Sequence, residues 1–541
     1  MEKIERLLEN MSIDDMCGQV LCYFTKNCFS QYQDKAELER IINAIKPGGI
    51  FVNNTTEEEI SFYSNLINKY TKAPVIVSAD VEAGTAGVLR DIDNVLPMPM
   101  ALGAADDENL VEELGIQMAR VCRKNGIHWT YSPLVDINYN SDNPVVNTRA
   151  ISDSPEQIAK IAGAYVRGFQ KEKNVATACK HFPGDGVDDR NQHFCTTLNN
   201  FSKEEWLNTY GYLYKKMIEN NTASIMVAHI ALPAFQGKEE CDENGFWKPA
   251  SLSPNIITGL LRKELGFKGC IVSDAMSMVG VAAVVTEEDM VPLFIKAGGD
   301  MALFAQPQDF YYLKKAVENG TVPLERLKDA VRNVLRLKEF VGLLDEEEKL
   351  IPDAKDIKKI TQEITDKCIS VVRNYDNIIP VDIKNGDHVL LCNLSIKEPD
   401  LEHPVFETLE KELNNRGITT TVLYNPSHKQ IAAEYEKRMP DCVLVNSHIS
   451  TEIDSDGGTF RFGFKQMSTF WRGVIFRHPK VIFTSFGDPY KLYEVPFMHT
   501  YVNAFSSTEE TQKSFVKVLL GEIESKGKSP IEMKDFIVRE V

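Results

Sequence analysis

The sequence lacks any excess of cationic side chains: 60 Lys plus Arg stand against 78 Asp plus Glu, a formal charge of −18. Neutralising nucleic-acid phosphates needs surplus cation, and no basic cluster stands out, so a nucleic-acid partner is excluded as the main business. No uninterrupted apolar run approaches the about 18 residues that a membrane span requires. Residues 1–19 (MEKIERLLENMSIDDMCGQ) carry a charge every few positions and no apolar core region, which predicts no secretion signal, no membrane partner and a soluble, cytoplasmic protein. The 11 cysteines contain no CxxC pair and no metal-ligand spacing, which predicts reduced, mostly buried thiols rather than a disulfide framework. There is no GxGxxG fingerprint, no HExxH or HxH pair and no GxSxG elbow, so dinucleotide, zinc and serine-nucleophile chemistry find no support. Low-complexity tracts and short-period repeats are also missing.

What is present is a chain of 541 residues, 43% hydrophobic and 26% charged, long enough to bury a core in each of two or three domains. As far as about residue 310, short apolar runs alternate with helical stretches. The predicted strands are 20–24, 49–52, 75–79, 127–131, 175–179, 224–228, 270–273 and 301–304. Between them lie amphipathic patterns such as 156–170, where Ile158, Ile161, Ala162, Tyr165, Val166 and Phe169 repeat at helical spacing after Ser152-Asp153-Ser154-Pro155. Strands alternating with helices imply a parallel sheet, and eight such units predict an α/β fold built on an N-terminal (β/α)8 TIM-like barrel, with a long open sheet as the alternative. A charge-rich helical stretch over roughly 324–367 follows. Further apolar runs at 371–381, 389–392, 420–423, 442–445, 481–486 and 501–505 predict a C-terminal α/β sandwich domain. The expected division is a barrel with its closing helices over 1–345, a linker over 346–375 and the sandwich over 376–541.

Ionisable residues follow the predicted barrel strands: Asp80 and Glu82, Ser132 and Asp136, Lys180 and His181, His229, and Asp274. In a barrel, the C-terminal strand ends converge on one pocket, so these positions define the candidate site. The densest motif is ACKHFPGDGVDDRNQHFCTT at 178–197, in which Lys180-His181 precedes a glycine-containing polar loop. It fits a mobile catalytic loop, although an acidic solvated loop has the same composition. In GFKGCIVSDAMSM at 266–278 a buried strand delivers Asp274, which could serve as nucleophile, general base or hydroxyl acceptor, or as the N-cap of a helix. VIVSADVEAGTAGVLR at 75–90 adds Arg90 beyond a glycine-rich turn, and NPVVNTRAISD at 143–153 adds Arg149, which could reach back over the site but by itself is better read as a surface arginine.

Taken together, IVSADVE at 76–82, GIHWTYSPLVDIN at 126–138, NPVVNTRAISDSPE at 143–156, KHFPGDG at 180–186, IMVAHIALPAF at 225–235, PASLSPNIITGLLRKELGFKGCIVSDAMSM at 249–278 and AGGDMALF at 297–304 resemble glycoside hydrolase family 3, in its β-N-acetylglucosaminidase-like branch. The resemblance continues through 481–522. It implies a retaining mechanism with Asp274 as nucleophile and His193, on the loop after KHFPG, as acid and base. It also implies that Asp80, Arg149, Lys180 and His181 hold the sugar, that Arg90 and Met278 line the pocket, and that no cofactor or metal takes part. The implied partner is a small oligosaccharide, and homo-oligomer formation is left open. A phosphorylase on the same scaffold and an inactive sugar binder are the alternatives.

The sequence departs from the branch at two places. Asn191 stands where the branch has an Asp that orients the catalytic histidine; an amide lacks the charge that raises imidazole basicity, so a lower His193 pKa is expected unless Asp185, Asp188 or Asp189 takes over. VEAG at 81–84 replaces the usual QEGG and bears on sugar preference. Asp454 and Asp456, with the Gly457-Gly458 turn, are polar enough to approach a site from the second domain, where a solvated loop is the better expectation.

Overall fold

The structure, a computed structural model, describes residues 2–92, 94–173, 175–345, 350–396, 404–449, 451 and 461–533; Asp454, Asp456, Gly457 and Gly458 lie outside them. The chain forms two compact units, each assembled from three segments.

The first unit comprises Met1–Val95, Val111–Asn143 and Ile158–Ile357. Its eight parallel strands are β1 (Leu21–Phe24), β2 (Gly49–Phe51), β3 (Ile76–Ala79), β4 (Trp129–Thr130), β5 (Ala176–Phe182), β6 (Ser224–Val227), β7 (Cys270–Ser273) and β8 (Ala302–Leu303). They pair in the order β8-β1-β2-β3-β4-β5-β6-β7, and a parallel bridge between Val272 and Met301 brings β7 to β8. The expected barrel is therefore present and nearly closed. Its strands are buried on both faces, which is why they read as continuous apolar runs rather than alternating ones.

Strand β5 differs from the predicted run: it continues through Lys180 and His181 to Phe182, with an irregular register against β6 between Cys179 and Phe182. Two polar residues ended the apolar pattern without ending the strand. The helical stretch after the barrel is likewise two helices, Leu324–Phe340 and Ile357–Cys368, rather than one. The first closes the barrel floor by packing Val334, Leu337 and Val341 against Cys22, Trp129, Met226, Cys270 and Met301. Beside it, buried Asp300 accepts from Arg326 at 2.7 Å, Asn333 at 3.1 Å and the Ile271 N–H at 2.8 Å, and pairs with Arg262. A carboxylate can be buried in this way because each oxygen meets a cation or an N–H donor.

The second unit comprises Leu96–Leu110, Pro144–Gln157 and Lys358–Val541. Its six strands are β9 (Ser370–Asn374), β10 (His388–Ser395), β11 (Thr419–Tyr424), β12 (Cys442–His448), β13 (Val481–Ser485) and β14 (Thr500–Asn503), in the order β9-β14-β13-β12-β10-β11. All neighbours are parallel except β9 and β14. Helices Glu407–Asn415 and Glu509–Leu519 cover one face through Leu409, Leu413, Phe515 and Leu519, whereas Ile431, Tyr435, Val474 and Ile475 cover the other. This is the expected sandwich. Met100, Ala101 and Ala104, from the segment between β3 and β4, join its core, and Asn147 donates to Asp488 at 3.0 Å.

Candidate active site

Asp274 lies one residue beyond β7, and its backbone N–H still donates to Val227 of β6 at 2.8 Å, so the sheet fixes where the side chain starts. No helix begins there, which removes the N-cap alternative: the next helix is Val279–Ala282. One carboxylate oxygen, Oδ1, accepts from the Ala275 N–H at 2.8 Å. The enclosing protein works to raise the Asp274 pKa, but the imidazoles of His181 and His193 together with the Ala275 N–H outweigh it and hold the group below its ordinary value. The carboxylate is thus kept ionised, with Oδ1 on that backbone bond.

His229, two residues past β6, is fully buried. Its Nε2 lies 3.0 Å from the carbonyl oxygen of Ala275 and its Nδ1 2.8 Å from the Ser251 hydroxyl. A carbonyl only accepts, so the ring proton is on Nε2 and the Ser251 hydroxyl donates to Nδ1. Burial, the largest influence, lowers the His229 pKa and keeps the ring neutral. The ring therefore clamps the peptide that follows Asp274.

On β5 the two ionisable neighbours go to separate partners. Lys180 Nζ is 2.8 Å from Asp80 Oδ1 and 2.6 Å from Glu82 Oε1, with its own side chain 4% exposed and that of Asp80 47% exposed. Half of Asp80 is left to face a ligand. His181 places Nδ1 2.6 Å from Asp136 Oδ2, and Asp136 Oδ1 accepts from the backbone N–H groups of His181 and Asp185 at 3.1 and 2.8 Å. Asp136 thereby fixes the His181 ring and the start of the following loop together.

That loop is anchored before it reaches His193. Gly186, at φ +102°, comes so close to Ile137 that a Cβ would sit 1.9 Å from its carbonyl oxygen. Asn143 donates to Asp185 and to the Asp188 carbonyl, each at 2.8 Å. Further on, His193 Nδ1 and its backbone N–H approach the same atom, Asn191 Oδ1, at 2.6 and 2.9 Å. Because the backbone N–H can only donate, that atom is the amide oxygen; the ring carries its proton on Nδ1, and Nε2 is its basic nitrogen. Two of the aspartates named above have other partners: Asp188 is taken by Arg190 and the Leu198 N–H, and Asp185 by Gly186 and Asn143. The loop is latched to the segment after Asp274 by Val279 N–H on the His193 carbonyl at 3.0 Å and Thr196 on the Gly280 carbonyl at 2.7 Å.

Of the residues singled out in the sequence, Asp274, His193, Asn191, Lys180, His181 and Asp80 thus lie on or beyond β3, β5 and β7 of one barrel, with Met278 buried on the segment after Asp274. Arg90 is exposed and its guanidinium is engaged by Glu59 and by the Asn54 carbonyl at 2.9 Å. Arg149 belongs to the second unit, where it is buried and donates to the Val145 carbonyl at 3.1 Å. The strand-end pattern had marked Glu82, Asp136 and His229 without giving them a role. Ser251 carried no signal, since it returns to the site after a 22-residue excursion from His229. Among the described residues, no group of three His, Cys, Asp or Glu side chains is placed to hold a metal ion.

Residues 2–337 match the family model described as Glycosyl hydrolase family 3 N terminal domain. A Cellulomonas fimi protein named beta-N-acetylglucosaminidase/beta-glucosidase is 27% identical over 550 residues, covering 98% of this chain and 95% of its own. The beta-hexosaminidase A of Pseudoalteromonas piscicida is 26% identical over 399 residues, covering 71% of this chain and 60% of its own. Among solved structures, beta-glucoside phosphorylase BglX is 28% identical with a TM-score of 0.86, covering 98% of this chain and 95% of that one. A family 3 β-N-acetylglucosaminidase from Paenibacillus sp. str. FPU-7 shares the fold at a TM-score of 0.80 and 23% identity, over 96% and 99% of the two chains.

Proposed function

The chain belongs to glycosyl hydrolase family 3, and on that premise we propose that it is a retaining exo-glycosidase that removes terminal β-linked N-acetylglucosamine, or a related β-hexose, from small oligosaccharides. The observation that carries the reading is Asp274: a carboxylate one residue past a barrel strand, held below its ordinary pKa by the imidazoles of His181 on β5 and His193 on the loop after it. In the first step Asp274 Oδ2 attacks the anomeric carbon while the His193 ring, protonated on both nitrogens, gives its Nε2 proton to the departing glycosidic oxygen. The products are a glycosyl ester on Asp274, the free aglycone and a neutral imidazole. In the second step His193 Nε2 takes a proton from water, which attacks the same carbon and releases the sugar with its original configuration. Retention asks for two groups about 5 Å apart, and an imidazole titrating near neutrality serves both steps. Asp80, Lys180 and His181 hold the sugar hydroxyls, with Arg90 and Met278 proposed as further pocket residues.

The N-acetylglucosamine preference is supported by the names of the Cellulomonas and Pseudoalteromonas relatives. A cytoplasmic setting is supported by the cysteines, all eleven of which are free thiols. No helix in the described residues is long and apolar enough to cross a membrane.

A second reading, glycosyl transfer to phosphate, is favoured by one observation. The partner of the acid/base ring at Nδ1 is the neutral amide of Asn191, so that contact itself adds no charge to repel an incoming phosphate. The likeness to beta-glucoside phosphorylase BglX supports it. The two readings separate on one experiment: turnover of aryl β-N-acetylglucosaminide and aryl β-glucoside with and without phosphate. Free sugar at a rate indifferent to phosphate identifies the hydrolase; a phosphate-dependent rate with sugar 1-phosphate as product identifies the phosphorylase.

A further inference from the structure

One stretch of the second unit reverses the charge of the chain. Residues 461–487 carry Arg461, Lys465, Arg472, Arg477 and Lys480 and not one Asp or Glu, whereas the whole sequence has a formal charge of −18. The same stretch builds a groove of about 400 Å³ walled by Phe464, Met467, Phe470, Trp471 and Phe476, with Phe497 added from the turn before β14. We propose that this face docks the protein peripherally on an anionic phospholipid bilayer.

The rings brace one another. Phe464 and Trp471 meet edge to face with centroids 5.1 Å apart, and Phe476 meets Phe497 in the same way at 5.4 Å. Phe470 packs against Phe497 at 5.5 Å and joins the core that holds Val474, Ile475 and Phe483. The stretch is tied to the helix His428–Lys437 by the His428 N–H on the Ser468 carbonyl at 3.1 Å, and to the residue before Ser427 by the Thr469 hydroxyl on the Pro426 carbonyl at 2.7 Å. The groove is therefore shaped before anything binds. Even so, Phe464 is 73% exposed, Trp471 51%, Phe497 43% and Phe476 41%. Single exposed apolar side chains need no explanation, but several gathered in one place mark an interaction surface.

The lining selects hydrocarbon. Its one polar residue, Ser468, already donates to the Lys465 carbonyl at 2.7 Å. A sugar, a peptide or a nucleobase would bury polar atoms there without partners, whereas an acyl chain has none to satisfy. The charge selects anionic lipid. Arg472 and Arg477 adjoin Trp471 and Phe476, and Lys429 follows His428, whose ring lies 6.2 Å from that of Trp471. All three cations are exposed and make no ion pair among the described residues. The acids of the helix that carries Lys429 lie toward its other end, where Glu434 pairs with Lys437 at 2.7 Å. Aromatic rings settle at the headgroup level of a bilayer while neighbouring Lys and Arg are drawn to its negative surface, so both halves of this face are used. A second copy of the chain fits less well, because a symmetric contact sets the same cations against one another. The charge of −18 does not prevent docking, since at physiological salt charges beyond about 8 Å are largely screened. The proposal departs from the expectation of no membrane partner, which was drawn from the want of a spanning run and of a secretion signal; neither bears on attachment to a surface.

The test floats the full chain through a density gradient with vesicles of phosphatidylcholine alone or of phosphatidylcholine mixed with phosphatidylglycerol. The wild type is expected to float with the mixed vesicles, to stay behind with phosphatidylcholine alone, and to bind less as salt is raised. Trp471→Ala and Phe464→Ala each lower partitioning about tenfold. Lys429→Gln and Arg477→Gln each lower it about fivefold, and only for the mixed vesicles. All four side chains are exposed, so the thermal unfolding midpoint stays near that of the wild type. No flotation with either vesicle, flotation indifferent to lipid charge, or variants that float like the wild type would overturn the proposal. A dimer in sedimentation velocity that Trp471→Ala converts to monomer, with no vesicle binding, would overturn it in favour of a second copy.

Discussion

Asn191 Oδ1 accepts from both the ring Nδ1 and the backbone N–H of His193, at 2.6 and 2.9 Å, so a neutral amide sets the tautomer of the proposed acid/base group. An aspartate at the same place would hold the ring equally and add a charge that favours the imidazolium. Asn191→Asp is therefore expected to move the alkaline limb of the kcat/KM profile upward by about one pH unit or more, because the acid form of His193 persists to higher pH. Asn191→Ala frees the ring and lowers kcat about 10- to 100-fold without moving KM much. An unchanged pH profile in Asn191→Asp would show that this contact does not govern the proton donor.

The clamp formed by His229 on the Ala275 carbonyl gives a second prediction. His229→Leu leaves that carbonyl and the Ser251 hydroxyl unpaired, so unfolding free energy falls by about 1–3 kcal/mol. Catalysis is expected to suffer beyond that: kcat falls about 10- to 100-fold with KM nearly constant, since the peptide carrying Asp274 loses its orientation. Ser251→Ala releases the tautomer alone and gives a smaller loss of the same kind. Thermal unfolding and steady-state kinetics on both variants check this.

Lys180 holds two carboxylates of like charge, Asp80 and Glu82, at 2.8 and 2.6 Å. Lys180→Met removes the cation that both carboxylates share, beside a Glu82 side chain that is only 15% exposed, and is expected to cost about 3–5 kcal/mol of stability. Asp80→Asn, at a half-exposed position, raises KM for the donor sugar with little effect on stability. Equal stability losses in the two variants would contradict the division of roles between a buried cation and a ligand-facing carboxylate.

Asp185 gives the pH dependence of folding. Burial, reinforced by the charge of Asp136 and opposed by His181, Gly186 and Asn143, pushes its carboxyl up to about 6. Its folded pKa thus exceeds the unfolded one, so the native state binds the extra proton. The associated stability is fully present below about pH 4 and is lost as pH rises through about 6, on the order of 3 kcal/mol in all. Asp185→Asn keeps the acceptor for Gly186 and removes the titration. Its unfolding midpoint is expected to decline less than that of the wild type between pH 4 and 7, as read by thermal or urea melts.

The barrel was legible because eight doubly buried parallel strands must be written as continuous apolar runs, and each of the predicted runs holds a strand. The ends were less legible. In β5 the sheet carries Lys180 and His181 because Asp80 and Glu82 pair with the first and Asp136 hydrogen-bonds the second, a compensation spread over 100 residues that no local pattern contains. Ser251 and the clamping role of His229 escaped for the same reason. The sequence also offered no sign that Met100, Ala101 and Ala104 pack in the core of the C-terminal sheet. Nor did it show that Arg149 falls in the second unit. Apolar residues in a loop look alike whichever core they enter.

The central claim is that Asp274 is the nucleophile. It is tested most directly by incubating the enzyme with a 5-fluoro glycosyl fluoride of the preferred sugar, which forms the covalent intermediate faster than it is released, and mapping the adduct by peptide mass spectrometry. The account predicts one sugar added per chain, on the peptide containing Asp274, and no adduct in Asp274→Asn. An adduct on a different carboxylate, or continued turnover by Asp274→Asn, would contradict it.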